Sequence, residues 1–145
     1  MTSRVESGPV VVVGIDGSAN SAAALRWAGS YATLIGAELH AVIACEGLMG
    51  FAFAPVSTED LERESRHVLD RTIHKVFGAK PPVRVVKIVD HGNPTAVLVD
   101  ESRGADLLVV GDRGYGGFAG LLLGSVGGNC VREAHCSVIV VRDQS

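Results

Sequence analysis

The sequence predicts an α/β domain with a doubly wound, five-stranded parallel sheet and helices on both faces. Two observations support this class. Five short runs rich in Val, Ile and Leu are apolar on both faces, as buried parallel strands are, and helical segments separate them. Such alternation favours parallel pairing with right-handed crossovers. A chain of 145 residues is expected to be one domain, residues 1–145, with an ordered core of about 9–142.

The first strand and helix have clear boundaries in the sequence. The run PVVVVGI, residues 9–15, is the first strand. Ser18 is an N-cap residue for the helix that follows, and Gly36 is suited to end it in the left-handed conformation. The second strand is then ELHAVIA, residues 38–44.

A loop and a long helix follow the second strand. Residues 45–56 are apolar but lack clean periodicity, so we interpret them as a loop over the sheet edge. Ser57 with Asp60 resembles a capping box, and apolar residues then recur at helical spacing as far as Gly78. The third strand is VRVVKIV, residues 83–89.

The next helix has a strong start signal. Asn93 is an N-cap residue and Pro94 occupies the first helical position, where its missing N–H costs nothing. The helix continues to Gly104, and the fourth strand is ADLLVVG, residues 105–111. The glycine-rich stretch 111–129 then separates this strand from the last one.

The remaining elements are a short helix over residues 125–134 and a fifth strand, SVIVVR, at residues 137–142. In open parallel sheets, ligands bind beyond the carboxyl ends of the strands, where the winding direction reverses. The segments after each of the first four strands open onto that edge. Spacing alone does not give the strand order.

The glycine-rich stretch can be matched to three phosphate-binding patterns, which differ in how well they fit. It has neither the spacing nor the lysine of a P-loop, and GYGGFA at 114–119 matches the dinucleotide fingerprint but follows the wrong strand. The third pattern is Gly111 and Gly114, nine residues, then Gly124 and Ser125. There the glycines allow tight turns, and the amides and dipole of a helix N-terminus attract an anion.

This third pattern, with the short helix and VIVV strand after it, resembles the universal stress protein family, in its ATP-binding branch. VVVGIDGSANSAAALRWA is similar to that family's opening and GNPTAVLVDESRGADLLVVGDRG to its middle, so the resemblance covers the whole chain. It implies a sheet of order 3-2-1-4-5. It also implies a homodimer paired through the last strand, residues 137–142.

The resemblance further implies a nucleotide site between the ends of the first, second and fourth strands. Asp16 would meet the ribose or the adenine, Gly14 would allow close approach, and Val42 would lie against the adenine. The phosphates of ATP, with Mg²⁺ held through them, would be lined by Gly111, Gly114, Gly124, Ser125 and Val126.

Position 112 departs from the family pattern, which often has a small polar residue there. The carboxylate of Asp112 would repel phosphates if it pointed at them without an intervening Mg²⁺. The neighbouring Arg113 would offset that charge and belongs to the predicted nucleotide site.

Composition excludes several classes of partner. Thirteen Lys and Arg against sixteen Asp and Glu give a net charge of −3, so no global attraction to nucleic acid or an anionic membrane is expected. No apolar run approaches the ~20 residues of a membrane span, and no signal peptide is recognised. The three cysteines are not spaced like a zinc or CxxC site, which favours reduced thiols in a cytoplasmic protein.

These observations predict an ATP-binding regulatory protein of the stress response. No general base and dedicated cationic clamp are evident, so no catalytic residue is assigned and at most slow ATP hydrolysis is expected. No metal-ligating set is assigned either. The alternatives are an AMP or cyclic-AMP sensor, a dimeric interaction protein with a vestigial pocket, and an ATP-dependent transferase.

Overall fold

The protein folds into five parallel strands with helices on both faces. The computed structural model describes residues 8–46, 57–113 and 124–143. The sheet order is β3-β2-β1-β4-β5, which confirms the order that the resemblance implied. Along the chain, the elements are β1 (Val10–Ile15), α1 (Ala19–Ile35), β2 (Glu38–Cys45), α2 (Thr58–Phe77), β3 (Val85–His91), α3 (Pro94–Glu101), β4 (Leu107–Gly111), α4 (Ser125–Glu133) and β5 (Ser137–Val141).

The register brings the ends of three strands together. In the centre of the sheet, Val13 of β1 lies between Ala41 of β2 and Val109 of β4. Gly14 is then paired with Val42 one position further along. The chain therefore leaves β1, β2 and β4 at the same edge of the sheet. The winding direction reverses at β1, which has β2 on one side and β4 on the other.

Two hydrophobic clusters cover the two faces of the sheet. On one face, α1 and α2 pack their apolar residues, such as Leu25 and Leu69, against β1 and β2. On the other face, Leu98 of α3 and Cys130 of α4 pack against Val12 and its neighbours. Because both faces are covered, the central strands are apolar throughout, as the sequence predicted.

The predicted helix boundaries are set by local hydrogen bonds. The side chains of Ser18, Ser57 and Asn93 each accept backbone N–H bonds from the first turn of the helix that follows. Gly36 has φ 69° and ψ 36°, the left-handed cap that the sequence predicted. No helix in the described ranges has the length and apolar character that crossing a membrane requires.

Three elements differ from the prediction by two residues or more, and one of them is β4, which begins at Leu107 rather than at residue 105. β3 begins two residues later than expected, at Val85, and continues to His91, because parallel pairing with β2 extends as far as Cys45. The third helix ends at Glu101 and is followed by a 3-10 turn, Ser102–Gly104. Pairing with a neighbouring strand is not visible in the sequence of the strand itself, which explains the shift.

Candidate functional site

A cavity of about 550 Å³ opens at the carboxyl edge of the sheet. It lies between the ends of β1, β2 and β4, the first turn of α4, and parts of α2 and α3. Gly114 lies outside the described residues. The other predicted site residues all line the cavity: Gly14, Asp16, Val42, Gly111, Arg113, Gly124, Ser125 and Val126.

One wall of the cavity is apolar. Ala44 and Val110 contribute the ends of β2 and β4, and Pro94 and Leu98 contribute the facing side of α3. Val42 belongs to the same wall, but it is only 1% exposed and therefore serves mainly as part of the core. Such a surface suits a flat, weakly polar ring rather than a charged group.

The N-terminus of α4 forms another part of the lining. The first N–H groups of any α-helix lack acceptors within the helix, and in α4 these belong to Ser125, Val126 and Gly127, which all line the cavity. Gly124 occupies the N-cap position and has no side chain to cap them. The positive end of the helix dipole and the Ser125 hydroxyl add to an environment that favours an anion.

The amide of Gly124 is an exception to this expectation. Its N–H donates to the backbone oxygen of Asp112 at 2.6 Å, so it closes the chain onto the end of β4 and does not point into the cavity. The family resemblance implied that Gly124, Ser125 and Val126 would all line the phosphates. Of these three, Ser125 and Val126 have amides without an acceptor inside the helix, whereas the amide of Gly124 is already bonded.

Asp112 is turned away from the cavity. It is 6% exposed, its Oδ1 accepts a hydrogen bond from Asn20 Nδ2, and its Oδ2 lies 3.9 Å from Nε of Arg142. Its backbone N–H also donates to the oxygen of Val141 at 2.9 Å. Because the carboxylate of Asp112 points away from the cavity, it would not repel a phosphate bound there. Asp112 instead links β4 to α1 and β5.

Two of the predicted glycines are needed for packing. A Cβ on Gly14 would lie 2.8 Å from Cδ1 of Leu98, and a Cβ on Gly111 would lie 2.9 Å from the backbone oxygen of Asn20. Both contacts are shorter than van der Waals separation. Packing against neighbouring helices is thus one reason for glycine at both positions. It is stricter at Gly111, where the contact is with backbone, than at Gly14, where it is with the end of a side chain.

Asp16 and Arg113 are the predicted charged residues of the site. Asp16 is exposed, and its Oδ1 accepts the N–H of Ser18 at 2.9 Å, so the carboxylate stabilises the turn into α1 while it borders the cavity. Arg113 is exposed at the end of β4, on the same edge. The structure thus brings both predicted charges to one opening.

Sequence reasoning missed the contribution of α2. Leu61, Glu64 and Ser65 line the cavity, and so does Glu46 immediately after β2. A signal for this was present: α2 connects two parallel strands, so its first turns must begin at the carboxyl edge of the sheet. Within the described ranges, no group of three or more His, Cys, Asp or Glu side chains is arranged to hold a metal ion.

Comparison with known proteins identifies relatives over most of the chain. Residues 9–142 match the model of the universal stress protein family. Universal stress protein Rv1996 of Mycobacterium tuberculosis is 36% identical over 137 residues, which cover 91% of this chain and 43% of that protein. The chain therefore spans less than half the length of this curated relative.

Solved structures of universal stress proteins share the fold. UspA of Lactobacillus plantarum superimposes with a TM-score of 0.78 at 26% identity, over 92% of this chain and 97% of its own. A universal stress protein crystallised in complex with cAMP has a TM-score of 0.59 at 31% identity, over 94% and 98%.

Proposed function

The chain belongs to the universal stress protein family, and from this premise we propose that its cavity binds an adenine nucleotide in a regulatory role. The observation that carries the proposal is that an apolar wall and a helix N-terminus line the same cavity of about 550 Å³. A purine and a phosphate need these two environments at opposite ends of one site. The cAMP complex of a relative that is 31% identical supports the same class of ligand.

The lining residues suggest one orientation for the nucleotide. The adenine would lie along Ala44, Val110 and Leu98, where it displaces water from apolar surface. The phosphates would accept hydrogen bonds from the first-turn amides of α4 and from the Ser125 hydroxyl. Asp16, which follows β1 and lines the same cavity, would accept a hydrogen bond from the ribose.

ATP with Mg²⁺ is the ligand that the phosphate pattern favours. The residues at the α4 end fit such a ligand, since amides and a hydroxyl contact phosphate oxygens while Arg113 supplies a positive charge. A bound Mg²⁺ would neutralise part of the phosphate charge. Asp16, Glu46 and Glu64 are the described acidic residues that line the same cavity.

We propose binding rather than rapid catalysis. Fast phosphoryl transfer requires a positioned base and several cationic groups on the transferred phosphate, and among the described lining residues only Arg113 is cationic. A turnover number of about 1 per second or more with Mg-ATP would overturn this part of the proposal, because ordinary enzymes begin at that rate.

A second candidate is a sensor of AMP or cyclic AMP, which the cAMP-bound relative favours. A third is an interaction protein whose pocket is vestigial. If this candidate is correct, the Gly124→Glu variant would capture a partner protein as well as wild type does, although the new side chain fills the proposed phosphate end of the cavity. An effect of this substitution on partner capture would instead link the pocket to signalling.

The experiment that tests the proposal is calorimetry on protein stripped of any co-purified ligand. Mg-ATP, AMP and cyclic AMP are titrated in parallel. Micromolar saturation with about one site per chain supports a nucleotide-binding role, and the ranking of the three ligands identifies the preferred one. No heat and no thermal shift with any of them, up to millimolar concentration, overturns the proposal.

A further inference from the structure

The charged residues around the cavity are unevenly balanced. Asp16, Glu46 and Glu64 are the acidic residues among the described lining, and Arg113 is the cationic one. The N-terminus of α4 adds a partial positive charge of roughly one half. The described part of the cavity is therefore acidic overall, although its proposed ligand is an anion.

The sequence shows that the two segments adjoining Glu46 and Arg113 add no charge at neutral pH. Residues 47–56, which follow Glu46, and residues 114–123, which follow Arg113, contain no Asp, Glu, Lys, Arg or His. The charges of the described lining are therefore three carboxylates and one guanidinium, and these two segments supply no further one.

The size of the cavity makes these charges effective. A sphere of 550 Å³ is about 10 Å across, which is close to the Debye length of about 8 Å at physiological ionic strength. A nucleotide that fills the cavity therefore lies within incompletely screened range of the lining carboxylates. Each additional negative charge on the ligand raises the cost of binding.

Of the three carboxylates, Asp16 and Glu46 lie in the segments that follow β1 and β2, and Glu64 is the one that a regular helix holds at the cavity. Asp16 already accepts the N–H of Ser18 and holds the turn after β1. Glu64 lies in the second turn of α2, a regular helix capped by Ser57, and faces the cavity. Within the described residues it makes no ion pair, in contrast to Glu62 on the same helix, whose Oε2 lies 2.5 Å from Nε2 of His91.

We propose that Glu64 determines which phosphate charge the cavity accepts, so that the site takes adenosine monophosphates, open or cyclic, more tightly than free ATP. ATP is accepted once Mg²⁺ has neutralised part of its charge. This inference rests on the proposed nucleotide-binding function and adds to it a specificity-determining residue that lies outside the glycine-rich phosphate pattern.

The test measures the ratio of the dissociation constants for ATP and AMP by calorimetry on the full chain, first in EDTA and then in Mg²⁺. The variants are Glu64→Gln, which removes the charge, and Glu64→Lys, which reverses it. The matched control is Glu133→Gln, the same substitution at an exposed residue at the far end of α4, outside the cavity lining.

In EDTA we expect Glu64→Gln to improve ATP binding relative to AMP by on the order of fivefold, and Glu64→Lys by more. The gain shrinks in Mg²⁺, and Glu133→Gln leaves the ratio unchanged. If all three proteins bind both nucleotides with the wild-type ratio, the role of Glu64 is overturned while the nucleotide-binding function stands. If the wild-type chain binds neither nucleotide, both proposals are overturned.

Discussion

Asn20 donates a side-chain hydrogen bond to the buried carboxylate of Asp112, and this contact joins the first turn of α1 to the end of β4. The same aspartate uses its backbone to hold β5 through Val141 and the start of α4 through Gly124. A single residue beside the cavity thus connects four elements. Its side chain serves the scaffold of the site rather than the ligand.

Removing either partner of this contact is expected to destabilise the protein. Asp112→Ala leaves the Asn20 amide without its acceptor in a partly buried position, which costs about 1–3 kcal/mol of unfolding free energy. In a double-mutant cycle with Asn20→Ala, we expect a coupling of at least about 0.5 kcal/mol. Urea denaturation measures both quantities.

A suitable control is Asp100→Ala. Asp100 lies 3.5 Å from Arg103 in an ion pair whose side chains are both more than half exposed, so its loss should cost less than about 0.5 kcal/mol. Strictly additive effects of Asn20→Ala and Asp112→Ala would contradict the role assigned to the buried contact.

The close approach of Gly14 to Leu98 predicts a rescue. Gly14→Ala places a methyl group against the Leu98 side chain and is expected to cost about 1–3 kcal/mol. Leu98→Ala alone, at a residue 5% exposed, should cost about 2–5 kcal/mol. Because the second change makes room for the first, the double variant should be more stable than the sum of the two losses predicts. If the double variant loses as much stability as the sum of the two single losses, or more, Leu98 is not what excludes a side chain at position 14.

Gly111→Ala should not be rescued in this way. The new Cβ would meet the backbone of Asn20, which cannot move without displacing α1. We expect Gly111→Ala to cost about 1–3 kcal/mol by urea denaturation, and to cost as much again when it is added to Asn20→Gly, which removes the Asn20 Cβ. A much smaller cost in the Asn20→Gly background would place the conflict in the Asn20 side chain instead.

The N-terminus of α4 gives a direct test of phosphate binding. Ser125→Asp adds a negative charge at the first position of the helix, where the dipole tolerates it, so the fold should remain stable. A bound phosphate would be repelled, and nucleotide affinity should fall about tenfold or more. The control is Ser137→Asp, at an exposed position at the start of β5 on the opposite edge of the sheet. Equal affinity of both variants for AMP would remove α4 from the phosphate site.

The buried thiol of Cys130 predicts a loss of stability in alkaline solution. Burial, with a smaller contribution from the charge of Glu133, raises the pKa of Cys130 to about 11 from the usual 9.0. The unfolded chain therefore releases this proton near pH 9, whereas the folded chain keeps it until about pH 11. The free energy of unfolding therefore falls as the pH rises from about 9 to about 11. The decline between pH 8 and 10 should be shallower in Cys130→Ala than in wild type. Equal slopes for Cys130→Ala and wild type would contradict the role assigned to this thiol.

Dimerisation remains a prediction from the family resemblance. β5 is an edge strand that pairs only with β4 in the described sheet, and such an edge offers unpaired backbone groups to a second copy. Sedimentation velocity over a micromolar concentration series should show a dimer. A monomer at every concentration would contradict this expectation.

The sequence alone determined the features that depend on nearby residues. Alternating apolar runs gave the strands and helices, Ser18, Ser57 and Asn93 marked the helix starts, and Gly36 marked an end, because caps are completed within a few residues. The glycine pattern also indicated residues that line the cavity, namely Gly111, Gly124 and Ser125. The strand order came from the family resemblance, since no local signal specifies which strands pair.

Only the tertiary structure decided the features that join distant parts of the chain. Asn20 and Asp112 are 92 residues apart, and nothing in either segment indicates that this carboxylate points away from the ligand edge. Gly14 and Gly111 fit a ligand-binding interpretation by sequence, yet contacts with Leu98 and α1 are one reason for glycine at both positions. The position of Glu64 on the cavity likewise follows from how α2 crosses the sheet, which is set by packing on β2 and β3 rather than by the sequence of the helix itself.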